Sequence, residues 1–391
     1  MALPSCPTVR VNAKGAARVR SGHPWIFASD VADRGSAQPG DTVRVLDPHH
    51  HSLGTAHYSS ASQIALRLLS GHVEAVDAAF FRRRLEQARA LRERVVSGTS
   101  AYRLVHGEGD RLPALIVDRY GDYLVVQTLS QGMDRAKAEI AACLEEMFQP
   151  AGILARNDAP VRRKEDLPLE TSVLAGEVPE RVDVEINGLR FAVDLFHGQK
   201  TGLFLDQREN YVAAAAYCRG RALDCFTFTG GFALHLARAC ETVEGVDSSA
   251  GALALAEANR AANGLGNVSF RQADVFELLA GYASAGRRFD MVVLDPPAFA
   301  KSRRDLERAA AAYKEINLRA LKLLASGGVL VTCSCSHHLA EASFLEIVAS
   351  ASLDAGRQLR VLERRTQARD HPILLTVPET QYLKCLILEV L

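Results

Sequence analysis

Hydrophobic and polar positions change their spacing several times along the chain, and each change predicts a different kind of element. Over residues 9–69, short β-prone pieces alternate with turns, among them Gln38-Pro39-Gly40-Asp41 ahead of Thr42-Val43-Arg44-Val45-Leu46. This pattern predicts a small β-rich module. Phe81, Leu85, Ala88, Leu91 and Val95 then recur at helical spacing, which assigns Arg82, Arg83 and Arg84 to the wet face of an amphipathic helix. Strands are expected at Leu115-Ile116-Val117 and Tyr123-Leu124-Val125-Val126-Gln127, around a polar turn at 118–122, followed by a helix over residues 135–147. Asn187-Gly188 separates two alternating runs, Val182-Asp183-Val184-Glu185-Ile186 and Leu189-Arg190-Phe191-Ala192-Val193, and reads as a hairpin turn.

Beyond the hairpin the alternation of strand and helix becomes regular. Strands are expected over 222–226, 243–246, 268–270, 291–294 and 328–332, with helices over 231–240, 250–262, from Val275 onward, and near 313–324. Such alternation implies a parallel sheet with helices on both faces. Ligands of such sheets bind outside the carboxyl ends of the strands, where the strand order reverses. The expected fold class is multidomain α/β: a β-rich N-terminal domain over residues 1–75, a middle α+β domain over 76–182, and a Rossmann-like C-terminal domain over 183–391.

Composition narrows the class without changing this layout. A chain of 391 residues, 48% hydrophobic and 24% charged, fits two or three globular domains. The first ten residues lack the apolar core of a signal peptide, and no apolar run approaches the ~18 residues of a membrane span, so a cytoplasmic protein is expected. The eight cysteines lack paired C-x-x-C spacing, so neither a structural metal nor a disulfide framework is expected. The formal net charge is zero, which leaves any polyanionic partner to be argued locally. Arg10, Lys14, Arg18 and Arg20 follow one another without an intervening acid; a phosphate-facing stripe and an ordinary solvated surface both account for them.

Candidate chemistry clusters at the expected strand ends. Thr227-Phe228-Thr229-Gly230-Gly231-Phe232 follows the first C-terminal strand, where glycines let a backbone approach a ligand and the next helix presents free N–H groups. Asp247 ends the second strand roughly 20 residues beyond Asp224, the place of an acid that binds adenosine ribose hydroxyls. Asp274 follows the third strand and is also placed to cap a helix. The fourth strand ends in Asp295-Pro296-Pro297-Ala298-Phe299, where two prolines fix a rigid turn beside which a base can be clamped. The fifth ends in Cys333-Ser334-Cys335-Ser336; buried cysteines are usually inert, but a thiolate at the mouth of the sheet is a nucleophile.

The ordered set Asp224-x-Phe226, Gly230-Gly231-Phe232, Val246-Asp247-Ser248, Ala273-Asp274-Val275-Phe276, Asp295-Pro296-Pro297-x-Phe299 and Ser334-Cys335-Ser336 resembles class I methyltransferases. With Gly198-Gln199-Lys200-Thr201-Gly202 and Leu205-Asp206-Gln207-Arg208 ahead of it, the chain resembles the RlmI family of bacterial 23S rRNA cytosine-5 methyltransferases over nearly its whole length. Arg20-Ser21-Gly22-His23-Pro24-Trp25-Ile26-Phe27 is similar to the start of that family's PUA domain, which binds RNA and precedes an EEHEE domain and the methyltransferase domain.

The resemblance implies S-adenosylmethionine as cofactor and 23S rRNA as partner, with no membrane and no metal; a homodimer is left open. It assigns the cofactor to Phe204, Asp206, Arg208, Asp224, Phe226, Gly230, Gly231, Phe232, Asp247, Ser248, Asp274, Val275 and Asp295. Substrate contacts fall to Lys200, Gln207, Pro296, Pro297 and Phe299, with Arg10, Lys14, Arg18 and Arg20 on the RNA backbone. Cys335 is the implied nucleophile and Asp295 the carboxylate that holds the base, while Cys333 competes for the nucleophile's role. Many cytosine-5 RNA methyltransferases carry a second cysteine where this chain has Ala298, which leaves product release without an assigned catalyst. Two other readings compete: methylation of an exocyclic base amine, which needs no thiolate, and a non-catalytic RNA-binding scaffold. A nicotinamide-dependent dehydrogenase shares the strand–glycine–acid layout, but residues 227–232 supply no G-x-G-x-x-G.

Overall fold

The computed structural model describes residues 6–300 and 302–391. The N-terminal elements are β1 (Thr8–Val11), α1 (Ala13–Arg20), β2 (Trp25–Phe27), β3 (Val31–Asp33), β4 (Thr42–Leu46), β5 (Ser52–Tyr58) and β6 (Ile64–Ser70). They build a six-stranded sheet in the order β2-β6-β5-β4-β1-β3. Period-two alternation explains the burial: Val43 and Val45 enter the core with Val9, Val11, Ile26 and Leu66, while Arg44 between them faces solvent. Helix α1 was not expected, because its short basic sequence carries little apolar period. It starts at Asn12, whose side-chain oxygen accepts the Gly15 N–H at 2.9 Å.

A second sheet follows, with α2 (Ala78–Val95), β7 (Ala101–His106), β8 (Leu115–Tyr120), β9 (Tyr123–Thr128), α3 (Gln131–Arg135), α4 (Lys137–Phe148), β10 (Gly152–Asn157) and β11 (Glu170–Gly176). Its five strands run β11-β10-β9-β8-β7. Phe80, Phe81 and Leu85 of α2 and Ile140 and Leu144 of α4 share one core with Val117, Val126 and Ile153. Burying each such side chain contributes about 1.5–3 kcal/mol. One arginine departs from the expected wet face: Arg84 is buried and donates to the Leu69 carbonyl at 3.0 Å. Arg92 on the same helix is buried too, paired with Asp110 and donating to the Asp370 carbonyl at 2.8 Å.

The hairpin joins β12 (Arg181–Ile186) to β13 (Leu189–Asp194) through Asn187 (φ 53°) and Gly188 (φ 78°). Two successive positive φ values are what a two-residue turn needs to match the twist of its strands.

The remaining elements are α5 (Arg208–Ala215), β14 (Arg221–Cys225), α6 (Gly231–Leu236), β15 (Thr242–Asp247), α7 (Ala250–Ala262), β16 (Val268–Gln272), α8 (Val275–Ser284), β17 (Phe289–Leu294), α9 (Leu306–Leu323), β18 (Leu324–Ser334), α10 (Glu341–Asp354), β19 (Leu359–Arg365) and β20 (Lys384–Val390). Seven strands form one sheet in the order β16-β15-β14-β17-β18-β20-β19. The sheet is parallel from β16 to β18, as the alternation predicts, but β20 runs antiparallel to both its neighbours. The expected parallel sheet is therefore mixed at one side. Helix α6 ends at Leu236, earlier than the expected 240.

The chain divides into two compact units. One comprises Met1–Val184, Val193–Leu203 and Arg369–Thr380; the other comprises Glu185–Ala192, Phe204–Ala368 and Gln381–Leu391. Cys218 and Cys240 form a disulfide with their Cα atoms 5.6 Å apart, a single pair in a chain from which no disulfide framework was expected. Sequence spacing gives no sign of it, because the pair is made by the approach of two segments that follow α5 and α6. No described helix is long and apolar enough to cross a membrane. Among the described residues, no group of three or more His, Cys, Asp or Glu side chains is arranged to hold a metal ion.

Candidate active site

Strands β14 and β17 lie side by side at the middle of the seven-stranded sheet, with Cys225 opposite Leu294. From β14 the chain builds outward to β15 and β16, and from β17 to β18 on the other side. Their carboxyl ends therefore mark the point at which the strand order reverses, the place where a ligand crevice opens in such sheets.

The loop after β14 is tightly wound. Phe226 (φ 64°), Phe228 (φ 50°) and Gly230 (φ 90°) all have left-handed backbones, and Gly230 N–H closes a turn onto the Thr227 carbonyl at 2.8 Å. A Cβ on Gly231 would stand 2.6 Å from the Tyr211 ring, so that position admits only glycine. Phe232 packs edge-on against the same ring, with centroids 4.8 Å apart, and Phe204 packs edge-on against Phe228 at 5.1 Å.

Two acids, Asp224 and Asp247, hold this loop, and a third, Asp274, stands at the end of the next strand. Asp224 is fully buried; its Oδ2 accepts from the Thr227 hydroxyl at 2.6 Å and from Ala233 N–H at 2.9 Å. Its Oδ1 is buried without a hydrogen-bond partner among the described residues. Burial, reinforced by the carboxylates of Asp295 and Asp247, pushes Asp224 up from 3.8 to about 7. Asp247 ends β15 and spans two loops, accepting Phe228 N–H at 2.9 Å on Oδ2 and Ser249 N–H at 2.9 Å on Oδ1. The adjacent Ser248 is exposed. Asp274 caps α8, accepting Glu277 N–H at 3.0 Å, while Val275 behind it belongs to the core.

Asp295 follows β17, with its N–H directed at the Cys225 carbonyl at 3.4 Å. Its Oδ1 accepts from Gln207 Nε2 at 2.9 Å. Gln207 Oε1 in turn accepts from Asn210 Nδ2 at 2.7 Å, and Asn210 Oδ1 accepts from Arg365 Nε at 2.8 Å. Pro296 is buried and Pro297 exposed, and Phe299 lies between Tyr313 and Phe276, at 4.7 and 6.1 Å. Next to Gln207, Asp206 is buried and accepts from the Tyr382 hydroxyl at 2.6 Å. Arg208, the first residue of α5, is also buried, and its carbonyl accepts from Asn187 Nδ2 at 2.9 Å.

The two cysteines at the carboxyl end of β18 differ sharply. Cys333 is fully buried inside β18, paired in register with Cys385 of β20, and burial pushes its thiol well above the usual range. Cys335 lies beyond the end of β18 and is half-buried, with Sγ 3.9 Å from the Pro296 carbonyl. Its loop is pinned to the Asp295-Pro296-Pro297 turn, since Ser336 Oγ accepts Ala300 N–H at 3.2 Å and meets the Tyr313 hydroxyl at 3.0 Å. Lys384 of β20 is buried and donates from Nζ to the Ser336 carbonyl at 2.7 Å and the Tyr382 carbonyl at 2.9 Å.

The unit of the seven-stranded sheet thus brings together Asp206, Gln207, Asp224, Asp247, Asp295 and Cys335. Lys200 belongs to the other unit, with Arg10, Lys14, Arg18 and Arg20. The loop carrying Lys200 (φ 55°) is anchored there by Thr201, which donates to Asp118 Oδ2 at 2.6 Å and lies 3.0 Å from the Tyr120 hydroxyl. The basic stripe is partly neutralised: Arg18 and Lys14 approach the buried Asp30 at 3.3 and 3.8 Å, and Arg20 meets the buried Asp47 at 2.5 Å. Arg18 also covers the Phe27 ring at 4.3 Å. Asn210, Tyr211, Arg365, Tyr382 and Lys384 were missed by sequence reasoning, since none stands in a strand-end motif.

Comparison with known proteins places this geometry. The S-adenosylmethionine-dependent methyltransferase family matches residues 103–387, and a PUA-like domain matches residues 9–71. Ribosomal RNA large subunit methyltransferase I of Shewanella amazonensis is 43% identical over 377 residues, covering 94% of this chain and 95% of that protein. Its counterpart of the same name from Tolumonas auensis is 43% identical over 375 residues, with 93% and 94% covered. The crystal structure of SMU.776 complexed with SAH shares the fold over 98% of this chain and 100% of that one, with a TM-score of 0.85 at 20% identity. The chain belongs to the ribosomal RNA large subunit methyltransferase I family and is an S-adenosylmethionine-dependent methyltransferase.

Proposed function

We propose that the protein methylates carbon 5 of a cytosine in 23S rRNA, in the cytoplasm, with Cys335 as nucleophile and Asp295 as the carboxylate that holds the base. The relatives' name supports a large-subunit rRNA substrate. The observation that carries the cytosine-5 reading is the position of Cys335, half-buried beyond β18 with its sulfur 3.9 Å from the Pro296 carbonyl of the Asp-Pro-Pro turn.

The cofactor fits the residues present. The orphaned, buried Asp224 Oδ1 and the cluster of Asp224, Asp247 and Asp295 suit a cationic ligand. Asp247 and Ser248 would hold the ribose, Asp274 and Val275 the adenine side, and Phe226, Gly230, Gly231 and Phe232 would line the approach. Phe204, Asp206, Arg208 and Asp224 complete the cofactor set, with Asp295 shared between cofactor and base. S-adenosylmethionine supplies an electrophilic methyl group carried on a sulfonium.

Cytosine C5 is a weak nucleophile until a thiolate adds to C6. The Cys335 thiol loses its proton to solvent, its sulfur bonds to C6, and the C5–C6 π pair becomes available at C5. Asp295 holds the N3/N4 edge while charge develops there, and Gln207 holds Asp295. Pro296, Pro297 and Phe299 give the base a rigid wall. After methyl transfer, loss of the C5 proton returns its electron pair to the C5–C6 bond and expels the Cys335 thiolate. The chain divides this work as a PUA-like RNA-binding domain over 1–75, an EEHEE-like domain over 76–182 and a catalytic domain over 183–391, with Lys200, Arg10, Lys14, Arg18 and Arg20 contacting RNA.

Incubation of the full chain and cofactor with rRNA carrying 5-fluorocytosine tests the reading. Fluorine cannot leave C5 as a proton, so a covalent protein–RNA adduct stable to denaturation is expected. Turnover without any adduct would sink the cytosine-5 reading in favour of amine methylation.

A further inference from the structure

A lysine seldom lies buried without a reason, because burial penalises its charge. Lys384 is 5% exposed, and no carboxylate forms an ion pair with it among the described residues. Its ammonium instead donates to two backbone carbonyls, those of Ser336 at 2.7 Å and Tyr382 at 2.9 Å. Ser336 is the residue immediately after Cys335, and Lys384 stands in register opposite Ser334, the residue immediately before it. The lysine is therefore fastened to the backbone on both sides of the thiol.

We propose that Lys384 is a positioning residue for the nucleophile: its ammonium fixes the Cys335–Ser336 backbone and supplies the positive charge against which the Cys335 sulfur ionises. This rests on Cys335 being the nucleophile. Burial lowers Lys384 from 10.5 to about 8, with Cys335 and Glu341 acting in the opposite direction, so the group remains mainly protonated at neutral pH. Electrostatic attraction between the Lys384 ammonium and an ionised Cys335 must act reciprocally, favouring the thiolate. The other groups facing this loop are Tyr313 of α9, hydrogen-bonded to Ser334 and Ser336, Glu341 of α10, and His337, stacked on Tyr382 at 5.2 Å. Asp295 belongs to the turn whose Pro296 carbonyl meets the sulfur. Among these, Lys384 is the cation buried at the base of the loop.

The test is the pH profile of iodoacetamide alkylation at Cys335, read by peptide-sequencing mass spectrometry on the full chain. Lys384→Gln keeps a donor for the carbonyls but removes the charge. Its alkylation midpoint should rise by about one pH unit, slowing the reaction at neutral pH about tenfold, while Lys384→Arg should stay close to wild type. Thermal melting and S-adenosylmethionine binding check that both variants fold. A Lys384→Gln profile superimposed on the wild type would overturn the proposal. Failure of the underlying reading has a separate signature: Cys335→Ala would still methylate rRNA, whatever the alkylation profile of the lysine variants.

Discussion

Gln207 Nε2 donates to Asp295 Oδ1 at 2.9 Å, and the direction of that bond is fixed from behind, because Gln207 Oε1 already accepts from Asn210. The amide cannot turn over without losing both bonds. Arg365 fixes Asn210 in the same way, so a chain of three side chains, from the residue just before α5, from α5 and from β19, orients the carboxylate at the sheet's point of reversal. Gln207 was expected to touch substrate; its contact is with the carboxylate that would do so.

A positioning role predicts a selective defect. Gln207→Leu removes a hydrogen bond to a charged group, of the kind worth about 1.5–3 kcal/mol, so kcat should fall about 10- to 100-fold while the Kd for S-adenosylmethionine changes little. Gln207→Glu should be worse at neutral pH, since it sets a second carboxylate beside Asp295, and should recover partly as pH falls. Steady-state kinetics against pH, with calorimetry for the cofactor, would reveal a purely structural role as parallel losses in both variants.

Asp224 gives a pH dependence of stability. Its folded-state value of about 7 lies above the ordinary 3.8, so the folded protein holds this proton more tightly than the unfolded chain does. The stabilisation is complete below about pH 4 and is lost as pH rises through 7. Melting temperature without cofactor should therefore decline between about pH 4 and 7 more steeply in the wild type than in Asp224→Asn, which stays neutral throughout. S-adenosylmethionine, as a cation, should bind the wild type more tightly as pH rises through about 7, where Asp224 ionises in the folded protein. Identical melting profiles for the two proteins would mean that Asp224 titrates normally.

Two acids that look alike in sequence should separate under mutation. Asp247 accepts Phe228 N–H and Ser249 N–H, so Asp247→Ala should weaken S-adenosylmethionine binding about 10- to 100-fold and loosen the loop after β14. Asp274 caps α8 through Glu277 N–H, and Asp274→Ala should cost about 0.5–2 kcal/mol of stability with a smaller effect on the cofactor. Calorimetry and melting on the same samples decide. Equal losses of affinity would give both acids the same role.

The difference between these acids shows where sequence reading reaches its limit. Strand and helix order over 222–332 was legible because each element spans enough residues to display its period, and the strand-end motifs follow from that order. The hairpin at Asn187-Gly188 was legible because only a few residues tolerate two positive φ values in succession. Lys384, Tyr382 and Arg365 were not. They reach the site from β19, β20 and the segment between them, and the β18–β20 pairing that sets Lys384 opposite Ser334 is long-range and antiparallel. The Cys218–Cys240 disulfide was hidden because its cysteines stand 22 residues apart, in segments after α5 and α6 that only the fold brings together. Arg84 was misplaced because a helical stripe predicts which face is apolar, not whether a polar residue on its margin finds a buried carbonyl.

The basic stripe gives a prediction about RNA. Arg18 and Arg20 are committed to Asp30 and Asp47, whereas Lys14 is largely exposed and lies at 3.8 Å from Asp30. RNA affinity should fall with rising salt as counterion release is suppressed, and Lys14→Ala should reduce the slope of log K against log salt by about one phosphate contact. Filter binding across a salt series measures this. An unchanged slope in Lys14→Ala, and again in Arg10→Ala, would remove the N-terminal stripe from the RNA interface.

The last prediction separates the two cysteines. Cys333 is fully buried, packed in register against Cys385, with its thiol pushed well above the usual range, so it is neither accessible nor ionised at neutral pH. Cys335 is half-buried beside the Pro296 carbonyl, where a base held by Asp295 would come within reach. Cys335→Ala should therefore abolish methylation while leaving S-adenosylmethionine affinity unchanged, because the thiolate is required only on the way to the transition state. Cys333→Ala should remain active, with a stability loss of roughly 1 kcal/mol from the small cavity it leaves. In the 5-fluorocytosine experiment the covalent adduct should map to Cys335 and persist in Cys333→Ala. An adduct at Cys333 would require β18 to open at its carboxyl end, breaking the Cys333–Cys385 pairing with β20, and would transfer the nucleophile's role to a residue that the folded chain keeps from solvent.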